Sequence, residues 1–145
     1  MIAFRIVPFA LLTGLLAIVG CGGGPKLVAV EGTVKLNGKP LNGIQVEFWP
    51  LTNGPRSMGT TDAQGHYSLL VDDGVRKGAV VGQHNVVLKD VWILGDKFYG
   101  RAGEDMDLTK GKKPRISDRY ADPLKTTLKK EVSNGPNVID IDVTP

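Results

Sequence analysis

Two histidines and four serines are the side chains of this sequence best suited to catalysis or zinc binding. The serines are Ser57, Ser68, Ser117 and Ser133. None of them stands in the G-x-S-x-G context of a nucleophile elbow. His66 alternates with Tyr67 and is predicted to face water, whereas His84 shares a face with Val86 and is predicted to be partly buried. A zinc site needs both histidines together with further ligands, so we expect no catalytic residue, no metal and no cofactor.

Two groups of acidic residues carry the oxygen ligands that calcium prefers. Asp62-Ala63-Gln64-Gly65 resembles the start of a calcium-binding loop, but the rest of that loop and its closing glutamate are missing. We therefore interpret these four residues as a hairpin turn. Glu104, Asp105 and Asp107 lie in a polar, glycine-rich stretch and are interpreted as solvated loop residues, with weak ion binding as the alternative.

Basic residues are concentrated in one region, which comprises Lys110, Lys112, Lys113, Arg115 and Arg119. Clustered lysine and arginine side chains contribute about 1 kcal/mol each near an anionic surface. Lys112, Lys113 and Arg115 are therefore candidate contacts for anionic lipid headgroups, lipopolysaccharide or acidic glycans. The alternative is that these side chains only keep a surface loop soluble.

Aromatic residues at four positions are candidates for ligand contact, because exposed rings stack on sugars. Trp49 alternates with the inward Phe48 and is predicted to face outward. Phe98 and Tyr99 lie in the polar stretch, where an exposed aromatic pair would indicate a binding surface; packing of the loop onto the fold is the alternative. No pattern assigns a side to Trp92.

Charge and cysteine content restrict the class of protein. The formal net charge is +3 over 145 residues, and it falls to +2 when Arg5 of the N-terminal segment is left out. So small an excess argues against nucleic acid as a partner, because such proteins present a basic patch with base-reading aromatics. Cys21 is the only cysteine, so the chain forms no internal disulfide.

The N-terminal segment, residues 1–20, has the pattern of a targeting signal. Arg5 precedes an apolar stretch of roughly 14 residues, which is shorter than the about 20 residues needed to span a bilayer. The stretch ends in Ile18-Val19-Gly20-Cys21, which resembles the bacterial lipobox. That resemblance implies cleavage before Cys21 and attachment of diacylglyceryl to its sulfur; a secreted protein with a free cysteine is the alternative. Residues 21–26 are glycine-rich and are predicted to be a tether.

The remainder of the chain, residues 27–145, has the pattern of an all-β domain. Apolar residues alternate with polar ones around Asn-Gly and Asp-x-x-Gly turns. Ile44, Val46 and Phe48 are predicted to face inward, with Gln45 and Glu47 outward. Further strands are expected at residues 83–89, extended by 91–94, at 124–132 and at 138–143, with a long insertion near 95–113. The expected architecture is a seven-stranded Greek-key sandwich without helices.

Three sequence motifs resemble the carboxypeptidase regulatory-like, or transthyretin-like, β-sandwich. They are Val30-Glu31-Gly32-Thr33-Val34, then Asn37-Gly38-Lys39-Pro40-Leu41 with Gly43-Ile44-Gln45-Val46, then Thr60-Thr61-Asp62-Ala63-Gln64-Gly65-His66-Tyr67-Ser68-Leu69. The resemblance covers about half of the domain. It implies a non-catalytic accessory domain that supports folding, adhesion or binding. The stretch from Arg119 to Asn137 is similar to the C-terminus of small bacterial lipoproteins that carry this module.

The main functional hypothesis is a lipid-anchored, non-enzymatic module of the bacterial cell envelope. Its predicted partners are the membrane, through lipidated Cys21, and an envelope protein. The alternative is a carbohydrate-binding or adhesion module that uses Trp49 or the pair Phe98 and Tyr99. Because Gly22 rather than aspartate follows the cysteine, the outer membrane is favoured over the inner one. The sequence predicts no oligomeric state.

Overall fold

The computed structural model describes residues 23–94 and 111–145, and its regular structure is almost entirely β. The strands are β1 (Leu27–Val28), β2 (Val30–Leu36), β3 (Lys39–Pro40), β4 (Ile44–Pro50), β5 (Ser57–Thr60), β6 (His66–Ser68), β7 (Leu70–Val71), β8 (Ala79–Val80), β9 (Gly82–Asp90), β10 (Lys129–Val132), β11 (Asn137–Val138) and β12 (Ile141–Val143). A short 3-10 helix spans Asp118–Tyr120. The predicted all-β class is confirmed. No helix within these two ranges is long and apolar enough to cross a membrane.

The larger sheet has the strand order β10-β9-β4-β5-β7, and every neighbouring pair in it is antiparallel. β4 lies at its centre, with Phe48 opposite Val86 of β9 and Ser57 of β5. The side chains of Ile44, Val46 and Phe48 are fully buried, as the alternation predicts. Their burial fixes the register, because a shift by one residue would turn them to the other face.

The second sheet is built on β2. Strands β3 and β6 pair with it antiparallel, whereas β11 and β12 pair with it in parallel. The two C-terminal strands share one register, with Asn137 opposite Val30 and Ile141 opposite Val34. They therefore form one interrupted strand that lies beside a strand from the start of the domain. A two-stranded antiparallel sheet of β1 and β8 completes the fold.

The interruption between β11 and β12 explains why position 32 is glycine. A Cβ atom at Gly32 would lie 2.0 Å from the carbonyl oxygen of Ile139, which is closer than any side chain tolerates. That same oxygen accepts a hydrogen bond of 2.6 Å from the hydroxyl of Tyr67. Burial, together with the charge of Asp140, raises the pKa of Tyr67, so the hydroxyl stays protonated and donates. The close approach thus locks the C-terminal strand onto β2.

Both large sheets contribute to a single hydrophobic core. Its buried side chains include Val34 of β2, Tyr67 of β6 and Phe48 of β4, all in one cluster with Tyr120 of the 3-10 helix. The chain moves from one sheet to the other at Leu69, because β6 pairs with β2 and β7 pairs with β5. This exchange holds the two sheets together over the core.

The long strands run between two ends of the domain. At the first, which we call the tether end, residues 23–26 lead into β1; it also comprises residues 51–56, 72–81 and 133–136. At the second, which we call the far end, lie residues 37–43, 61–65, 91–94 and 112–115. β9 connects the two ends, and its nine residues extend over about 26 Å at 3.3 Å per step.

Three features of the fold differ from the sequence prediction. Residues 91–94 do not extend β9 but form a 3-10 turn, and regular pairing in the next stretch begins only at Lys129. The described residues contain twelve short strands in three sheets rather than seven in two. The predicted insertion falls mainly on residues 95–110, which lie outside the described residues.

Candidate functional site

The structure places the predicted contact residues at two separate positions. Trp49 lies on the face of the larger sheet that points away from the core, whereas Lys112, Lys113 and Arg115 lie at the far end. Cys21, Phe98 and Tyr99 lie outside the described residues, as do Lys110 and the acidic residues 104, 105 and 107.

The far-end cluster is centred on Trp92. Its indole is 46% exposed. Lys112 Nζ lies 4.9 Å from the ring centroid and the guanidinium carbon of Arg115 lies 4.7 Å from it, so two cations contact this ring. The backbone N–H of Trp92 donates to the carbonyl of Gly43, which fixes the turn against the loop before β4.

A buried ion pair holds Arg115 beneath this cluster. The side chain of Asp90 is fully buried and accepts three hydrogen bonds from Arg115, at 2.8 Å from the backbone N–H, 2.9 Å from Nε and 2.7 Å from Nη2. Nη2 also donates to the backbone carbonyl of Asn42. This fork geometry is the one in which guanidinium binds carboxylate most strongly. Arg115 thereby joins the end of β9, the loop before β4 and the segment that begins at residue 111.

These contacts divide the predicted basic surface into two parts. Arg115 has most of its donors engaged within the fold, so its first role is structural. Lys112 and Lys113 are exposed, and Lys112 contacts the Trp92 ring. The exposed surface of this cluster is therefore one tryptophan with lysines beside it, and anion binding by these lysines stays a prediction.

A second polar cluster lies around Glu47, which faces outward as predicted but is covered by its neighbours. Glu47 does project from the face opposite the core, yet its side chain is only 1% exposed. Its carboxylate accepts hydrogen bonds from Lys89 at 2.8 Å and from Gln45 and Trp49 at 2.9 Å, and it pairs with Arg56 at 3.4 Å. The neighbouring long side chains cover the carboxylate, and they also compensate its charge.

The Glu47 cluster fixes the orientation of Trp49. The indole N–H donates to Glu47, and the guanidinium carbon of Arg56 lies 4.8 Å from the ring centroid. A sugar that stacked on the face covered by Arg56 would have to displace this cation. The arrangement therefore does not favour Trp49 as a free stacking platform.

Both histidines and Ser57 lie on strands: His66 on β6, His84 on β9 and Ser57 on β5. His84 is buried in the core, donates from Nδ1 to the carbonyl of Gly82, and lies 5.6 Å from the ring of Phe48. Burial lowers the pKa of His84, so the ring is neutral at pH 7. His66 is exposed and lies 3.8 Å from Glu31 of the neighbouring strand β2 in the second sheet. Ser57 is buried, and its hydroxyl has no hydrogen-bond partner within residues 23–94 and 111–145. The predicted placement of both histidines is confirmed.

The described residues contain no group of three or more potential His, Cys, Asp or Glu metal ligands. At the proposed calcium-like sequence, the carboxylate of Asp62 accepts hydrogen bonds of 2.9 Å from the backbone N–H groups of Gln64 and His66. This is the hairpin turn that the sequence predicts.

Two acidic residues with specific roles, Glu47 and Asp90, were missed by the sequence reasoning. A weak signal exists for Glu47, because Gln45, Glu47 and Trp49 place hydrogen-bonding side chains on one face of a strand. No comparable local signal exists for Asp90, since its partner Arg115 is 25 residues away.

Comparison with protein-family models, curated proteins and solved structures found no match to this chain. The structure itself shows an all-β domain in which two large sheets share one hydrophobic core. The resemblance to the carboxypeptidase regulatory-like family stays a prediction.

Proposed function

We propose that this protein is a lipid-anchored, non-enzymatic module of the bacterial cell envelope that acts in structure or protein interaction. The observation that carries the proposal is the position of Cys21, the only cysteine, directly after Ile18-Val19-Gly20 and shortly before the domain. The first backbone hydrogen bond of the domain is accepted by Lys26, from the N–H of Val81. An acyl anchor at Cys21 would therefore hold a folded domain close to the bilayer, in the outer membrane by preference.

We also propose that the domain is a seven-stranded Greek-key sandwich of the transthyretin-like type. Support comes from grouping the short strands. β6 and β7 are separated only by Leu69, and β11 and β12 share one register along β2. If each of these pairs is one strand and the two-residue strands β1, β3 and β8 are left out, seven strands remain.

The non-enzymatic role is supported by where the reactive side chains lie. His84 and Ser57 lie inside the core, where a substrate does not reach them. Glu47 and Asp90, the buried carboxylates, are each engaged by cationic side chains. The surfaces left for a partner are the sheet edges and the exposed lysines at the far end, together with the predicted contacts Phe98 and Tyr99.

Intact-mass measurement and membrane fractionation of the natively expressed protein test the anchor. The wild type should start at Cys21, carry a mass increase from acyl chains and sediment with membranes. Cys21→Ser should abolish both the lipid mass and the sedimentation. Gly24→Ala is the matched control, because a Cβ there meets nothing within 4 Å, and it should behave as the wild type. An unlipidated wild type in the soluble fraction would refute the proposal.

A further inference from the structure

The tether end of the domain presents apolar side chains on two of its loops. Val75, at the tip of the loop after β7, is 79% exposed, and Leu51, directly after β4, is 53% exposed. Moving a large apolar side chain from water into an apolar phase lowers the free energy. Exposure alone does not identify a contact surface, because Leu124 and Val138 are also exposed, at 93% and 72%; the shape of the loop, the charge and the distance to Cys21 are the further evidence for this end.

The loop that carries Val75 is held in a defined shape. The carboxylate of Asp73 accepts hydrogen bonds from the backbone N–H groups of Arg76 at 3.0 Å and Val75 at 2.9 Å, and from the Arg76 side chain. These hydrogen bonds lower the pKa of Asp73 to about 2, so the carboxylate stays charged. The loop also closes on itself through the N–H of Val71 and the carbonyl of Arg76. Because these hydrogen bonds already fix the loop, little conformational entropy is lost when Val75 contacts another surface.

The charge at the tether end is positive. Its four segments contain four basic residues (Lys26, Arg56, Arg76 and Lys77) and two acidic ones (Asp72 and Asp73), a net charge of +2, which falls to +1 when Arg56 is left out because it pairs with Glu47. Basic residues around exposed apolar side chains are the combination that binds an anionic lipid surface: the apolar groups enter the interface and the cations meet the phosphates.

The length of the chain before the domain limits how far this end can be from an anchored membrane. Five residue steps separate Cys21 from Lys26, and they span at most about 18 Å when fully extended. Lys26 is fixed to the tether end by its carbonyl, which accepts from Val81, and by its Nζ, which donates to Asn134 at 2.6 Å. An acyl group at Cys21 therefore keeps this end next to the lipid headgroups.

We propose that the tether end docks on the anionic surface of the bilayer that holds the anchor, with Val75 and Leu51 in the headgroup region and Lys77 and Arg76 near lipid phosphates. This inference rests on the proposed lipidation of Cys21. It gives the domain an upright orientation, because the far end lies about 26 Å along β9 from the docked end. Trp92 and Lys112 would then face away from the membrane and toward any partner.

Site-specific fluorescence quenching on the full, natively lipidated chain tests the docking. Because Cys21 is the only natural cysteine and would be acylated, Val75→Cys introduces one free thiol for a bimane label. Lys39→Cys, exposed on β3 at the far end, is the matched control position. Both proteins are reconstituted into vesicles of phosphatidylcholine with 30% phosphatidylglycerol, in which a small fraction of lipid carries a headgroup-region spin label.

The expected result is strong quenching of the label at position 75 and little at position 39. Lys77→Gln should lower the ratio of docked to undocked domain by about fivefold, since one cation near an anionic surface is removed. Lys39→Gln should have no effect. In vesicles of pure phosphatidylcholine, quenching at position 75 should also be weaker, because the anionic lipid is absent.

Equal quenching of bimane at the two positions would overturn the docking. A second experiment uses a pyrene label at position 75. Pyrene excimers without quenching by the lipid spin label would also overturn the docking, and they would assign this end to contact with a second copy of the chain. Both outcomes are read only from protein that floats with the vesicles and whose intact mass includes the acyl chains. Failure of lipidation is seen separately, as a protein that does not float and in which Cys21 also reacts with the label.

Discussion

Replacement of Arg115 by methionine removes the side chain that compensates the fully buried carboxylate of Asp90. The carboxylate loses two hydrogen bonds, from Nε at 2.9 Å and from Nη2 at 2.7 Å, and keeps only the one from the backbone N–H. Breaking a buried ion pair from one side costs about 3–5 kcal/mol. The Arg115 side chain is 26% exposed, so water partly replaces it, and we expect the lower limit of about 3 kcal/mol.

Urea unfolding followed by far-UV circular dichroism measures this change in the free energy of unfolding. A loss of about 3 kcal/mol in a domain of this size corresponds to a melting temperature lower by about 12 °C. Arg76→Met is the matched control, because Arg76 also pairs with an aspartate but at the exposed surface, and it should leave the transition unchanged within error.

A double variant separates the effect of the buried charge from that of the lost contacts. When Asp90→Asn is added to Arg115→Met, no uncompensated charge remains, and the amide oxygen can still accept from the backbone N–H of residue 115. More than half of the lost stability should return. A cost below about 1 kcal/mol for Arg115→Met, or a double variant less stable than the single one, would refute the assignment of Asp90 and Arg115 as a buried structural pair.

Three further predictions concern the core and the Glu47 cluster. Gly32→Ala should either prevent folding or lower the free energy of unfolding by more than about 3 kcal/mol, because its Cβ would lie 2.0 Å from the carbonyl oxygen of Ile139. Gly24→Ala should leave the same urea transition unchanged. Stability should be constant above about pH 6.5 and fall as the pH drops below it, because burial lowers the pKa of His84 and the unfolded chain binds the proton first; His84→Gln should flatten the curve measured between pH 5 and 8. Glu47→Gln should cost about 2 kcal/mol and shift tryptophan emission, because two cations lose their carboxylate; unchanged emission would contradict the assigned contact with the indole.

The alternation of side chains predicted the faces of the strands well, but it did not predict what covers each face. Ile44 and Phe48 are buried as expected. Glu47 lies on the predicted face and is nevertheless buried, because Lys89, 42 residues away, and Arg56 lie across it. Alternation reports direction from neighbouring residues only. Cover by a distant strand depends on tertiary pairing, which a single sequence does not encode locally.

The same limit explains the errors at the strand ends and at the C-terminus. Residues 91–94 are apolar and continue the pattern of β9, but hydrogen bonding to Gly43 turns them into a 3-10 turn. In the final strand, alternation with Asp140 and Asp142 predicts that Ile139, Ile141 and Val143 face inward; Ile141 and Val143 are buried and Ile139 is partly buried. Its parallel pairing with β2 was not predicted, because parallel and antiparallel neighbours bury the same alternate residues.

The parallel pairing of β11 and β12 with β2 has a consequence for how the molecule is made. Residues 137–143 lie beside residues 30–36, so β2, the central strand of one sheet, gains two of its neighbours only when residues 137–143 are present. Pairing between segments so distant in sequence is slow to form, since the loop entropy is lost before the contacts are gained. A growing chain, or one that passes through a membrane pore from its N-terminus, therefore stays short of its native state until residues 137–143 have emerged. Until then the chain lacks this pairing and can still be threaded through a narrow pore.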